Sequence, residues 1–259
     1  MIVDTPRGRF GAYFAGDGAP EVLALHPLAL SGAIWTGAGD GADARLRLLG
    51  LDARGHGESP WDGQPFTVED MADDAAAVIE ATAPGPVGVI GLSMGGSTAL
   101  MLAARRPDLV SRLVIADGSA CYGPDRVGQW AERAWSAEFK PRARQLEFQR
   151  DRWFGPDFRA AHPGTVSRVC DIFLRTSGAV HAAACRALGG LDATGLLGTI
   201  TAPTLVVVGA DDYATPPAMA RVIAAGIPGA ELTELAGARH MSLIERPSEW
   251  PRIEAHLGG

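Results

Sequence analysis

The 259-residue chain lacks the features that mark membrane, secreted and nucleic-acid-binding proteins. No apolar run approaches the roughly 20 residues that a membrane helix needs, and the N-terminal segment has no apolar core of a signal peptide. Lys and Arg form no basic run that would predict a nucleic-acid surface. Its cysteines are odd in number and form no CxxC pair, which disfavours a disulfide framework and a zinc site: Cys121, Cys170 and Cys185. We therefore expect a cytoplasmic protein with neither a membrane nor a nucleic acid as partner.

The composition is that of a folded globular protein. Hydrophobic residues make up 47% and charged residues 20% of the chain, which excludes disorder as the main state. The formal net charge is -7. Because an acidic protein does not attract anionic ligands by its overall field, an anionic substrate would need a local arginine.

Apolar, β-branched segments alternate with segments of helical periodicity. The helices are predicted at 68–82, behind a Thr67 cap, at 94–105 and at 216–226. The strands are predicted at 9–14, 22–26, 46–51, 86–91, 112–116, 203–209 and 231–235. Continuous apolar strands separated by helices indicate an α/β fold with a mostly parallel sheet and helices on both faces.

The segment from about 119 to 200 differs from the rest of the chain. It contains no convincing strand and is rich in tryptophan, phenylalanine and arginine. We interpret it as a helical lid inserted between two parts of one core, 1–118 and 201–259. An ordinary set of helices covering the sheet is the alternative.

The pattern Gly91-Leu92-Ser93-Met94-Gly95 lies between a predicted strand and a predicted helix. This context is typical of a nucleophile elbow, in which a tight turn presents the serine hydroxyl at the carboxyl end of the sheet. The glycines leave room for the turn, and the helix N-terminus favours negative charge at the same place. The alternative is a glycine-rich turn in which Ser93 only caps the helix.

A serine nucleophile needs a histidine base, and the base needs a carboxylate that orients it. In chain order the acid and then the histidine should follow the serine. His240, after the last predicted strand, is the candidate base. Three other histidines are weaker candidates: His56 in a local turn, His181 in the insertion, and His256 close to the end of the chain.

The candidate acid lies in the loop GADDYATPP, which follows the strand at 203–209. We predict Asp212 as the acid. Asp211 is the alternative, because neighbouring side chains diverge and only one of them can face His240. Asp117, which also follows a strand, is a further position for an acid.

Stabilising an oxyanion requires two N–H donors. The first should be the backbone N–H of Met94, which follows the nucleophile. The second should come from the loop after the strand at 22–26, where Pro27 has no N–H. Leu28 is therefore the expected donor, with Ala29 as the alternative.

These motifs resemble the α/β-hydrolase fold family and, more narrowly, the 3-oxoadipate enol-lactonases. The similarity extends over most of the chain, and the segment HMSLIERP (240–247) and the order of lid motifs favour the lactonase group. The motifs are LDARGHGES (51–59), GLSMGG (91–96), GADDYATP (209–216), HMSLIERP, Trp130-x-x-Arg133, Arg152-Trp153-Phe154 and Cys185-Arg186-Ala187-Leu188 before Asp192.

The resemblance implies a serine hydrolase that opens a cyclic ester with Ser93, Asp212 and His240 and needs no cofactor or metal. Lactonases of this kind act in the breakdown of aromatic compounds. We expect Arg133 to hold the substrate carboxylate and Trp130 and Trp153 to enclose the ring. The alternative is that the three residues serve only lid packing and surface charge. Residues 134–149 lack the glycine-rich turn usual in lactonase lids, and the loop at 26–32 also differs.

These departures leave other functions open. A general carboxylesterase or a perhydrolase-like enzyme is the main alternative, and a C–C bond hydrolase is a weaker one. A hydrolase-fold protein that binds its ligand without turnover comes from a different class. The expected partner is a small ester or lactone, and the sequence leaves a homo-oligomer open.

Overall fold

The computed structural model describes residues 1–14, 18–36 and 46–259, and an eight-stranded sheet organises them. The spatial order is β1-β2-β4-β3-β5-β6-β7-β8. The strands are β1 (Ile2–Thr5), β2 (Gly8–Phe14), β3 (Val22–Leu25), β4 (Leu48–Leu51), β5 (Val87–Leu92), β6 (Val110–Ala116), β7 (Thr204–Gly209) and β8 (Glu231–Leu235). Strands β3 to β8 run parallel, whereas β2 pairs antiparallel with β1 and β4.

Every residue of the central strands β3, β5 and β7 is buried. This is why these strands appear in the sequence as unbroken apolar runs, since helices cover both faces of a parallel sheet. The parallel strands also end at the same edge. The loops that follow β3, β5, β6, β7 and β8 therefore meet there, and they carry the candidate site.

Ten α-helices lie in the described part of the chain. None of them has the length and apolar character needed to cross a bilayer. They are α1 (Val68–Thr82), α2 (Met94–Arg105), α3 (Arg126–Phe139), α4 (Arg142–Trp153), α5 (Pro156–Ala161), α6 (Pro163–Arg175), α7 (Gly178–Gly190), α8 (Pro217–Gly226), α9 (Ser242–Glu245) and α10 (Trp250–Gly258). Short 3₁₀ helices occupy Gly32–Trp35, Thr194–Thr199 and Pro247–Glu249.

The predicted α/β architecture is confirmed, with element boundaries shifted by one or two residues. Thr67 caps α1 through a reciprocal capping box with Asp70, as the sequence predicted. The sequence did not predict β1, a four-residue strand that pairs antiparallel with β2. It also missed α10, which packs against β5 and β6.

The segment between β6 and β7 contains α3 to α7 and no strand of the sheet. Helices α3 and α7 pack against each other. A single β-bridge between Cys121 and Asp192 joins the two ends of the segment. The insertion is thus helical, as predicted, and its action as a lid stays a prediction.

Helix α2 crosses β3 so closely that only glycine fits at position 95. A Cβ atom there would overlap the carbonyl oxygen of Leu25. We expect Gly95→Ala to lower the free energy of unfolding by about 3 kcal/mol, because the overlapping atoms belong to backbone that cannot yield. Urea unfolding measures the loss.

Gly128→Ala is the matched control. Gly128 is exposed within α3, and a Cβ atom there would contact nothing within 4 Å. The control should raise the free energy of unfolding by about 0.5–1 kcal/mol through helix propensity. Equal stability of the two variants would contradict the close crossing.

Candidate active site

Ser93 occupies a strained turn between β5 and α2. Its backbone has φ 57° and ψ -116°, a left-handed conformation that costs a non-glycine residue about 1–3 kcal/mol. The turn is held by hydrogen bonds from the Ser93 N–H to the Ala116 carbonyl (2.8 Å) and from the Ser97 N–H to the Ser93 carbonyl (3.0 Å). A Cβ atom at Gly91 would overlap the backbone of Gly95, so the predicted elbow needs its glycines.

The structure brings the three predicted residues together although they are far apart in the sequence. The Nε2 atom of His240 lies 2.8 Å from the Oγ atom of Ser93. The Nδ1 atom of the same ring lies 2.8 Å from Oδ2 of Asp212. All three side chains are buried. Asp212, His240 and Ser93 thus form a continuous chain of hydrogen bonds from a carboxylate to a serine hydroxyl, which we call the relay.

Asp212 rather than Asp211 faces the histidine. The Oδ1 atom of Asp212 accepts hydrogen bonds from the N–H groups of Ala214 (2.7 Å) and Thr215 (3.1 Å), and Oδ2 accepts one from the Thr215 hydroxyl (2.7 Å). Burial alone would raise the pKa of Asp212, but the adjacent His240 ring and the Thr215 bonds lower it below its usual value. The carboxylate is therefore held in its charged form, whereas Asp211 is exposed.

A second buried carboxylate, Asp117 at the end of β6, lies beneath the relay. Its Oδ1 accepts a hydrogen bond from the Gly209 N–H (2.9 Å), and its Oδ2 accepts one from the Ser242 N–H (3.0 Å). Its backbone carbonyl lies 2.8 Å from the Thr215 hydroxyl, which shares its single proton between this carbonyl and Oδ2 of Asp212. Burial and then the charge of Asp212 raise the pKa of Asp117 well above its usual range. Asp117 thus ties the loops of Asp212 and His240 together through backbone groups.

The candidate oxyanion donors lie on two loops beside Ser93. Leu28 lines the same pocket as Ser93 and His240, and Met94 is the first residue of α2. Within the described residues neither backbone N–H donates a hydrogen bond to another backbone group. The turn closed by the bond from Leu30 N–H to Pro27 carbonyl (3.2 Å) places Ala29 at φ 59°. The assignment of Leu28 and Met94 as donors stays a prediction.

Two buried histidines, His26 and His56, lie next to the Leu28 loop. His26 contacts the Pro27 carbonyl through Nδ1 (2.7 Å), and its Nε2 accepts a hydrogen bond from the Ala53 N–H (3.0 Å). The ring of His56 lies 5.0 Å from that of His26, between centroids, and its Nδ1 contacts the Arg54 carbonyl. Burial lowers the pKa of His26 to about 4, and burial together with His26 lowers that of His56 to about 3. These contacts make His56 a packing residue of the turn.

The other two alternatives also lie away from the relay. The Nδ1 atom of His181, on α7, contacts Arg142 at 2.7 Å. His256 contacts the carbonyl groups of Leu113 and Pro203 at 3.2 Å. His240 is thus the histidine that the structure places at Ser93.

Ser93 lines a pocket, and residues of the helical insertion form part of its wall. The predicted lid residues Trp130, Arg133 and Trp153 all line it. The sequence analysis did not assign Arg152 to the pocket, although that residue stands in the Arg-Trp-Phe motif that supported the resemblance. The lining residues are Pro27, Leu28, Ser93, Tyr122, Trp130, Arg133, Gln149, Arg152, Trp153, Ala214, Thr215 and His240.

Because His26 and His56 are buried, we expect the protein to lose stability in mild acid. Both have folded-state pKa values below the usual 6.5, so the unfolded chain binds protons that the folded chain does not as the pH falls below 6.5. Each histidine should cost about 1.4 kcal/mol of unfolding free energy for each pH unit below that value. We expect His56→Gln to show a smaller fall between pH 7.5 and 5.5 than the wild type in urea unfolding.

His162→Gln is the control, since His162 is exposed. Its stability should fall with pH as steeply as that of the wild type. An equally steep fall in His56→Gln would mean that His56 is already protonated in the folded protein.

Comparisons with known proteins identify the family to which the chain is similar. A family model described as the alpha/beta hydrolase fold matches residues 20–247. A 3-oxoadipate enol-lactonase of Acinetobacter baylyi is 28% identical over 200 residues, 77% of this chain and 74% of the relative. A pimeloyl-[acyl-carrier protein] methyl ester esterase of Neisseria meningitidis is 30% identical over 206 residues, 75% of this chain and 76% of the relative.

The likeness extends to the three-dimensional structure. The crystal structure of the enol-lactonase from Burkholderia xenovorans matches with a TM-score of 0.92 and 27% sequence identity, and the match covers 100% of both chains. The resemblance predicted from the motifs is confirmed at the level of the family. The chain belongs to the α/β hydrolase fold family.

Proposed function

We propose that this protein is a serine hydrolase that cleaves carboxylic ester bonds of lactones or small esters through an acyl-enzyme. The observation that supports this most directly is the relay from Asp212 through His240 to Ser93, with both hydrogen bonds at 2.8 Å. The relay lies at the base of a pocket, in a family whose similar members are named lactonases and esterases.

The proposed reaction begins when the Ser93 oxygen attacks the ester carbonyl. His240 takes the hydroxyl proton at Nε2, while Asp212 fixes the tautomer through Nδ1–H and stabilises the imidazolium. The oxyanion lies between the N–H groups of Leu28 and Met94. His240 then donates its proton to the leaving oxygen, the C–O bond breaks, and the acyl group stays on Ser93. In a lactone the freed oxygen remains part of this acyl group.

The second half of the reaction uses water. His240 removes a proton from a water molecule, which attacks the acyl carbonyl and forms a second tetrahedral intermediate. The bond to the Ser93 oxygen breaks, and His240 returns the proton to the serine. The product is the free carboxylic acid, and the enzyme returns to its starting state.

The finer proposal is a 3-oxoadipate enol-lactone as the substrate. Its support is the name of similar proteins and the chemistry of the pocket. The substrate carries a free carboxylate, and Arg133 lines the pocket, with its guanidinium carbon 4.7 Å from the centroid of the Trp130 ring. Trp153, which is buried and also lines the pocket, would provide an apolar wall for the lactone ring.

A linear ester is the second candidate. The methyl ester esterase relative favours it, because the same relay serves both substrates and only the pocket walls differ. Turnover of 3-oxoadipate enol-lactone against ethyl and methyl esters of similar size separates the two. A perhydrolase-like reaction is tested by adding hydrogen peroxide to the ester assay.

The adjacent aspartates offer a matched test of the relay. We expect Asp212→Asn to lower kcat by about 10⁴, because the neutral amide no longer fixes the His240 tautomer or stabilises the imidazolium. Asp211→Asn, at the exposed neighbour, should keep wild-type kcat. Steady-state hydrolysis of 4-nitrophenyl acetate measures both, and a larger loss in Asp211→Asn would reverse the assignment.

Labelling identifies the nucleophile independently of the substrate. A fluorophosphonate should modify the wild-type protein once, at Ser93, and should leave Ser93→Ala unmodified in mass spectrometry. Ser93→Ala should also lose the acyl burst with 4-nitrophenyl acetate. A wild-type protein with neither label nor burst would favour a binding protein that retains the hydrolase fold without turnover.

A further inference from the structure

The pocket contains a second arginine that the proposed mechanism does not use. Arg152, near the end of α4, lines the pocket together with Ser93 and His240. Among the described residues its Nε atom is buried without a hydrogen-bond partner, and its one hydrogen bond runs from a terminal nitrogen to the Ala214 carbonyl at 3.5 Å. A guanidinium with so few partners is costly to bury unless a ligand provides them.

Two aromatic rings and a second cation lie near Arg152. Its guanidinium carbon lies 5.6 Å from the Phe148 ring centroid and 5.9 Å from the Tyr213 ring centroid. Burial and then the charge of Arg133 lower the pKa of Arg152 to about 10, so the group stays charged at neutral pH. In contrast, the nearby Arg159 and Arg239 pair with Asp151 at 3.1 and 3.0 Å.

The backbone around Arg152 is fastened to the catalytic loops. On one side, Asp151 accepts a hydrogen bond from the Tyr213 hydroxyl (3.2 Å) as well as the ion pair with Arg239. On the other side, the Trp153 carbonyl accepts a bond from the Met241 N–H at 3.0 Å. Tyr213 follows Asp212, and Arg239 and Met241 flank His240. These contacts hold the position of Arg152 relative to the relay before any substrate binds.

Glu245, in α9, forms a further connection between this segment and the histidine loop. Its Oε2 atom accepts a hydrogen bond from the Gly155 N–H (3.0 Å), and its Oε1 atom accepts one from the Arg239 N–H (2.7 Å). The segment 151–155 is therefore tied to the histidine loop at both of its ends. The backbone that carries Arg152 therefore needs little ordering when an anion binds.

The pocket thus carries two guanidinium groups, Arg133 and Arg152, in a protein of formal net charge -7. Within the described residues neither pairs with an aspartate or glutamate side chain. Asp212, the carboxylate that attracts Arg152, is already engaged by His240 and Thr215. A carboxylate on the substrate would satisfy the donors of the two arginines, whereas a neutral acyl chain would leave them desolvated.

We propose that Arg152 is a specificity-determining residue that binds, together with Arg133, a carboxylate carried by the acyl part of the substrate. The preferred substrates are then anionic esters or lactones, and neutral esters are poor substrates. This inference rests on the proposed ester hydrolysis for its kinetic test, and a binding test below is independent of turnover.

Two chromogenic esters with the same acyl length separate charge from shape. 4-Nitrophenyl hydrogen glutarate ends in a carboxylate, and 4-nitrophenyl pentanoate ends in a methyl group. We expect the wild-type ratio of their kcat/KM values to favour the glutarate ester. Arg152→Gln should lower this ratio about 10- to 100-fold, as expected for the loss of hydrogen bonds to a charged group.

Arg150→Gln is the matched control, because Arg150 lies on the same helix and is exposed. It should keep the wild-type ratio. Arg152→Lys should recover part of the ratio, since lysine restores the charge without the planar fork of donors. An unchanged ratio in Arg152→Gln, in a variant whose thermal unfolding midpoint matches that of Arg150→Gln, would overturn the proposal.

Glutarate binding to Ser93→Ala tests the subsite without turnover. Calorimetry should show at least about tenfold weaker binding when Arg152→Gln is added to Ser93→Ala. Equal affinity with and without Arg152 would overturn the inference even if esters are hydrolysed. If the wild type hydrolyses neither ester while glutarate binding depends on Arg152, the proposed function fails and the anion subsite stands.

Discussion

The left-handed backbone of Ser93 is the constraint on which the candidate site depends. Among the described residues three non-glycine positions have positive φ: Ala29, Ser93 and Asp117. Each lies in the loop after a parallel strand, at the edge where β3, β5 and β6 end. Such conformations cost about 1–3 kcal/mol each and persist only where the surroundings over-determine them. The buried central strands hold these three residues in place. The three strained residues lie in loops at the same edge of the sheet as the Ser93 hydroxyl.

Two buried carboxylates near this hydroxyl have opposite roles because their surroundings differ. Asp212 receives three hydrogen bonds from its own loop, and although burial opposes it, the adjacent His240 and then the Thr215 bonds lower its pKa. Asp117 receives backbone N–H groups from the ends of two loops, and burial raises its pKa. The charge that can stabilise an imidazolium is therefore at Asp212. Asp117 fixes the distance between the acid loop and the histidine loop.

The sequence predicts the parts of the site that depend on local pattern. The strand, glycine turn and helix around Ser93 are contiguous, and the order of Asp212 and His240 follows from the sheet. What the sequence could not decide depends on contacts between distant segments. The choice between Asp211 and Asp212 follows from the pairing of the loop with His240, and the role of Asp117 follows from Ser242, 125 positions away. Arg152 escaped assignment because the Arg-Trp-Phe motif marks its segment but does not show that its side chain lines the pocket while that of Arg150 is exposed.

The contacts that hold the loops of the candidate relay also hold the segment that carries Arg152, one of the two cations of the pocket. Asp151 joins α4 to Tyr213 and Arg239, which adjoin Asp212 and His240 in sequence, and Glu245 joins Gly155 to the histidine loop. A displacement of this segment would therefore move Arg152 and disturb the loops of Asp212 and His240 together. Trp130 and Arg133 belong to α3, which packs mainly on α7. The insertion accordingly meets the pocket with two differently held parts: the segment 151–155, which is bonded to the histidine loop, and α3, which is held by packing on α7 and by the ion pair between Glu138 and Arg186.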